Sequence, residues 1–202
     1  MKFLGFVATF LVLFALSVVF LAAVDALPEP VGGNAPQEQA ETRAFTVYSD
    51  APLPQGGELP NRIVAKSIGM DVTVLNTESA EIAALDADLL KGAVRYPTSG
   101  LLGVDGTVLL LGHSSYLPIV RNQNYKAFNN IQKLKEGDMV SVYSAGREYR
   151  YTVEGVRLAN ADEDTVALRS NGQYLSLVTC NTFAAKTARY VVSARFDSVT
   201  LH

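Results

Sequence analysis

The sequence predicts an all-β domain, and three observations carry that expectation. Short apolar or alternating runs recur from Leu59 to Phe196, each bounded by turn residues. Helical spacing of apolar residues occurs in only two places, Ser79 to Leu90 and a short stretch from Lys126 to Leu134. The stretch from Glu58 to His202 is long enough for one well-buried core and short for two. The pattern is that of a β-sandwich or barrel, and no internal repeat interrupts it.

In chain order, Leu59 to Ile68 and Asp71 to Leu75 read as extended. Ser79 to Leu90 reads as a helix with Ile82, Leu85 and Leu89 on one face. Thr107-Val108-Leu109-Leu110-Leu111 is a continuous apolar run, the pattern of a strand covered on both faces. Met139 to Tyr143 and Glu148 to Arg157 alternate, with Tyr149, Tyr151 and Val153 opposite Arg150, Thr152 and Glu154. The turn Ser144-Ala145-Gly146-Arg147 joins them into a predicted hairpin. Tyr174 to Cys180 and Arg189 to Phe196 complete the strands.

Composition divides the chain into 1–24, 25–57 and 58–202. Phe3 to Val24 carries no charge and no proline. As a helix it would reach roughly 33 Å, against about 30 Å of bilayer hydrocarbon, and it reads as a transmembrane anchor. The rival reading, a cleaved signal peptide, expects an apolar region of about 7 to 15 residues and a better cleavage site than Val24-Asp25-Ala26. Lys2 precedes the span, whereas Asp25, Glu29, Glu38 and Glu41 follow before Arg43, which points to a cytoplasmic amino terminus and an extracytoplasmic domain. Asp25 to Gly57, with five prolines and four glycines, reads as a tether, although Phe45-Thr46-Val47-Tyr48 has the composition of a strand. From Glu58 onward, acidic and basic residues are equal in number, so the net charge of −3 comes from the preceding segments. No clustered basic face suggests nucleic-acid binding.

The chain has one cysteine, Cys180, and two histidines, His113 and the last residue, His202. Outside the cytoplasm a structural cysteine is expected in pairs, so a lone one is either an idle buried side chain or a retained nucleophile. Cys180 shares strand parity with Ser176 and Val178, and Arg189 opens the next strand. If those strands pair, Cys180 and Arg189 become neighbours, while Arg195 lies roughly 20 Å further along. His113 follows an apolar strand and is able to complete a site on the same rim. The bland alternatives are a satisfied structural histidine and a surface ion pair at Arg189.

Gly112-His113-Ser114-Ser115 after an apolar strand, Leu177-Val178-Thr179-Cys180, and Arg189 before Tyr190-Val191-Val192 together resemble the sortases, cysteine transpeptidases of the cell surface. Ile131 to Asp138 is similar to the family's segment leading into the next strand. The resemblance covers Leu59 to about Phe196. It implies a closed β-barrel of about eight strands with one or two short helices, and catalytic roles for His113, Cys180 and Arg189. Ser114 and Thr179, beside them, are expected to meet substrate. The implied partners are secreted proteins with a carboxyl-terminal sorting signal and an amine acceptor from a peptidoglycan precursor or a pilin. No cofactor is expected; Asp162-Glu163-Asp164 resembles the loop carboxylates that bind calcium in some sortases, but it lacks an EF-hand pattern and reads as a solvated turn. Tyr116-Leu117-Pro118 either lines the groove or closes a loop.

The chemistry suits these residue types. A thiol attacks an amide carbonyl to form a thioacyl intermediate, an imidazole moves the proton, and a guanidinium fork stabilises the oxyanion or holds the peptide, a task for which lysine is a poor substitute. At reference pKa values about 3 % of thiols are thiolate and about a quarter of imidazoles are protonated at pH 7, so independent titration leaves under roughly 1 % as the reactive pair. Papain-like enzymes carry cysteine before histidine, the reverse of this order, and the caspase signature is absent. L,D-transpeptidases would show a Ser-His-Gly-Cys context that Val178-Thr179-Cys180-Asn181 does not match. The alternative from another class is a tethered β-domain that binds a cell-surface component without catalysis.

Overall fold

The computed structural model describes residues 10, 14, 56–115, 117–160, 166, 168–180 and 188–201, with backbone only at Asn160, Cys180 and Ala188. It divides into two units, 1–42 and 43–202. Of the first, Phe10 and Phe14 are helical with ring centroids 6.3 Å apart. Among the described residues no helix is long and apolar enough to cross a membrane. All of the predicted span Phe3 to Val24 except Phe10 and Phe14, most of the tether, Tyr116 and Asp162-Glu163-Asp164 lie outside the described residues.

Among the described residues the second unit holds eight strands: β1 (Arg62–Ala65), β2 (Met70–Asn76), β3 (Ala93–Arg95), β4 (Gly106–His113), β5 (Met139–Ser144), β6 (Arg147–Asn160), β7 (Gln173–Cys180) and β8 (Ala188–Leu201). They close into a barrel in the order β1-β2-β3-β4-β7-β8-β6-β5. The pairs β2/β3 and β4/β7 are parallel and the rest antiparallel. Closure leaves no free sheet edge. The predicted hairpin is present: Ala145 and Gly146 adopt φ of 38° and 82°, the two left-handed positions that a tight turn between right-twisted strands requires.

Three expectations change. Leu59 to Ile68 is not one strand, because β1 ends at Ala65 and Lys66–Ile68 forms a 3-10 turn closed by Gly69 at φ 67°. The helix predicted from Lys126 to Leu134 is two 3-10 turns, Gln123–Lys126 and Ile131–Lys133, because Asn130 between them sits at φ 75° and breaks any continuous helix. The short strand β3 had no expectation: three residues are too few to show a period. The first predicted helix shortens to α1 (Ile82–Leu89), which buries Leu89 and leaves Ile82 40 % exposed.

Alternation sorts the buried side chains into two layers. Inside the barrel, Ile63, Val108, Leu110, Val142, Tyr151, Leu177 and Val192 belong to one large cluster, plugged at one end by Phe128 and Ile131. Outside it, Leu89 of α1 packs with Val94, Leu109, Leu111, Val178 and Val191 in a second, smaller cluster. β4 feeds both layers from its two faces, which is why its sequence is apolar throughout.

Candidate active site

β7 is the central strand of the site, paired with β4 on one side and β8 on the other. The parallel ladder runs from Gly106↔Gln173 to His113↔Cys180, so histidine and cysteine end their strands in register. Adjacent strands are about 4.8 Å apart. On the other side the antiparallel ladder reaches Val178↔Val191. The ladder stops there; extended by two positions, its register would align Cys180 with Arg189, which itself pairs with Ala159 of β6. The three positions thus occupy one rim of three neighbouring strands. Arg195 pairs with Tyr174 near the other end of the ladder, as expected.

By strand alternation the rim positions share a face. Leu111, Val178 and Val191, each two residues from His113, Cys180 or Arg189, all belong to the outer cluster. That cluster is the floor of the site. Arg189 is half-buried, whereas His113 is 2 % exposed with its ring centroid 5.4 Å from that of Tyr125.

The residue before the histidine is constrained by sterics. A Cβ on Gly112 would lie 2.5 to 2.7 Å from carbons of the Phe128 ring, so only glycine lets that ring close the barrel directly behind His113. Phe128 N–H in turn donates to the His113 carbonyl at 2.8 Å. Thr179, paired with Gly112, is 3 % exposed, and its Oγ1 accepts the Tyr190 N–H at 2.9 Å. Its hydroxyl bridges β7 to β8 just past the end of their ladder. Ser114 is half-buried on a recess of about 280 Å³ shared with Ser115, Leu117, Lys126, Asn129 and Gln132. Among the described residues no group of three or more metal-ligating side chains is gathered.

A sortase-domain family model matches residues 63–197. The chain belongs to the sortase family. Among its relatives, sortase A of Bacillus anthracis is 27 % identical over 132 residues, covering 65 % of this chain and 57 % of that protein. The chain therefore spans little more than half the length of this curated relative. Solved structures share the fold. Sortase A of Corynebacterium diphtheriae, a lid mutant, superposes with a TM-score of 0.56 at 21 % identity, covering 72 % of this chain and 74 % of that one. Sortase A of Listeria monocytogenes gives 0.54 at 21 % identity, with 70 % and 88 % covered. Sortases are cysteine transpeptidases, and the family match and eight-stranded barrel bear out the family and the barrel that the resemblance implied.

The sequence did not single out Tyr125, Phe128 and Asn129, which surround His113 and the residues just after it. A lone buried-looking Phe128 in a polar stretch was the available signal. The stretch Lys126 to Leu134 reads as a short helix instead.

Proposed function

We propose that this sortase cleaves a carboxyl-terminal sorting motif of secreted proteins and transfers the new acyl end to an amine. The observation that carries the reading is the in-register pairing of His113 with Cys180, with Arg189 at the start of β8, the strand on the other side of β7. Cys180 as thiolate attacks the scissile carbonyl, forming a C–S bond and an oxyanion that Arg189 stabilises. The C–N bond breaks as His113 in its imidazolium form protonates the leaving amine. An incoming amine then attacks the thioacyl carbon, gives its proton to His113 and expels the thiolate. Atoms and charge balance without a cofactor.

The acceptor amine belongs to a peptidoglycan precursor or a pilin, and the domain works outside the cytoplasm on a single amino-terminal membrane anchor. The charge asymmetry around Phe3 to Val24 supports that placement.

Mass spectrometry of the full-length chain in detergent, incubated with a pool of sorting-signal-like peptides and hydroxylamine, tests the reading. Cleaved peptide hydroxamates are expected from the wild type, none from Cys180→Ala and few from Arg189→Ala. Absence of product from every peptide, with Cys180 also inert toward a thiol reagent, would overturn it in favour of a binding domain.

A further inference from the structure

β4 ends at His113, and so does its ladder to β7. A residue at a strand terminus is held from one side only and frays unless the chain beyond it is tied down. Ser115, two residues on and 8 % exposed, belongs to no strand ladder among the described residues. Its backbone is instead paired by a side chain. The Ser115 N–H donates to Asn129 Oδ1 at 2.9 Å, and Asn129 Nδ2 donates to the Ser115 carbonyl at 3.0 Å. A side-chain amide thereby does for Ser115 what a neighbouring strand does for a residue within a ladder.

The segment carrying Asn129 is itself anchored. Ala127 and Phe128 are buried in the inner cluster, and Phe128 N–H holds the His113 carbonyl. At its other end the Asn122 and Asn124 amides both donate to the Leu90 carbonyl, at 2.7 and 2.9 Å, just past the end of α1. The Tyr125 ring, from the same segment, lies against the imidazole. His113 is therefore bracketed, with the β7 ladder before it and an anchored amide after it.

We infer that Asn129 is a positioning residue for acyl transfer, holding the backbone on the far side of His113 so that the imidazole stays in register with Cys180. The inference rests on the proposed transpeptidase reading. Asn129 acts through Ser115 and need not touch substrate. Its loss should lower turnover and spare binding, because displacement of a reacting group by about 1 Å costs on the order of a hundredfold.

The test uses the full-length chain in detergent with 13C-labelled histidine, where His113→Ala assigns the two imidazole signals. In Asn129→Ala the His113 cross-peak is expected to shift or broaden, with kcat for hydroxamate formation falling about a hundredfold and KM unchanged. A superimposable cross-peak with kcat within about twofold of wild type would overturn the inference, as would a rise in KM at unchanged kcat. Should the wild type transfer no acyl group, the transpeptidase reading fails, and the cross-peak alone still decides whether Asn129 positions His113. Hydrogen exchange at the wild-type Ser115 amide covers the case of a variant that does not fold: slow exchange is expected, and exchange at the free-peptide rate would sink the clamp.

Discussion

The two hydrophobic clusters differ in what rests on them. The inner one draws on all eight strands and is sealed by Phe128 and Ile131, so its burial is what makes the barrel a barrel. The outer one is smaller, gathers around β4, β7 and β8 with Leu89 of α1, and holds the residues immediately below the three rim positions. One strand, β4, serves both: Val108 and Leu110 face the first cluster, Leu109 and Leu111 the second, and His113 continues the second row. Fold stability and site geometry thus sit on opposite faces of the same backbone. A defect in one layer should be separable from a defect in the other.

The most severe break of this division should come from the rim itself. His113→Ala is expected to reduce acyl transfer by about 10²- to 10⁴-fold while leaving most of the melting temperature intact; a loss of activity below tenfold would remove His113 from the proton-transfer role.

Two leucines then make a matched comparison, since Leu177 is 0 % exposed in the inner cluster and Leu111 is 4 % exposed in the outer one. Alanine at either should cost about 2 to 5 kcal/mol, or very roughly 5 to 20 °C in Tm. Only Leu111→Ala should also lower kcat per folded molecule, read by normalising activity to the native fraction. Equal specific activities in the two variants would mean that the outer cluster is not the floor of the site.

Thr179→Val keeps the shape of the side chain but leaves the Tyr190 N–H without its acceptor, at a cost of about 1 to 3 kcal/mol. Because this hydroxyl joins β7 to β8 one residue from Cys180 on the one strand and from Arg189 on the other, the variant should lose more activity than its Tm change accounts for. Unchanged kcat in a destabilised protein would confine Thr179 to the fold.

The smallest effect belongs to the barrel end away from the site. Hydrogen bonds from Arg150 and Ser141 hold the Glu148 carboxyl down to about 2, against an ordinary value of 4.5. A carboxylate with a depressed folded-state pKa contributes stability above its unfolded value and loses it as pH falls through the folded one. Thermal melts should therefore show wild-type stability declining between about pH 4.5 and 2, and Glu148→Gln flattening that decline by a few degrees, with no change in kcat. Parallel melting curves would deny Glu148 this role.

The buried Arg95 shows how little residue type alone conveys. It is 7 % exposed, and its guanidinium donates to the carbonyls of Tyr96, Pro97 and Ser99 and to Asn76 Oδ1, an arrangement that secures the chain after β3. Burial lowers its pKa. Arg189 is the same side chain at a half-buried rim position at the start of β8. Nothing local distinguishes them except that Arg189 opens a strand after a cysteine strand, and that spacing was the clue.

What the sequence determined by itself was what short-range pattern can encode. Alternation marked most strands, the Ala145-Gly146 turn marked the hairpin, and a lone cysteine ending an apolar run marked the rim of interest. The antiparallel pairing of the strands that carry Cys180 and Arg189 was legible because sequential strands joined by one connection pair with each other. What only the tertiary structure decided was the parallel pairing of β4 with β7, which brings together residues as far apart in sequence as His113 and Cys180. Parallel neighbours are joined by long crossovers, so no local signal fixes their register. The same holds for the Phe128 ring over Gly112 and for the Asn129 amide on Ser115. Each depends on a segment with no regular period finding its place against a strand end, and close packing and hydrogen-bond satisfaction select that place only once the barrel has closed.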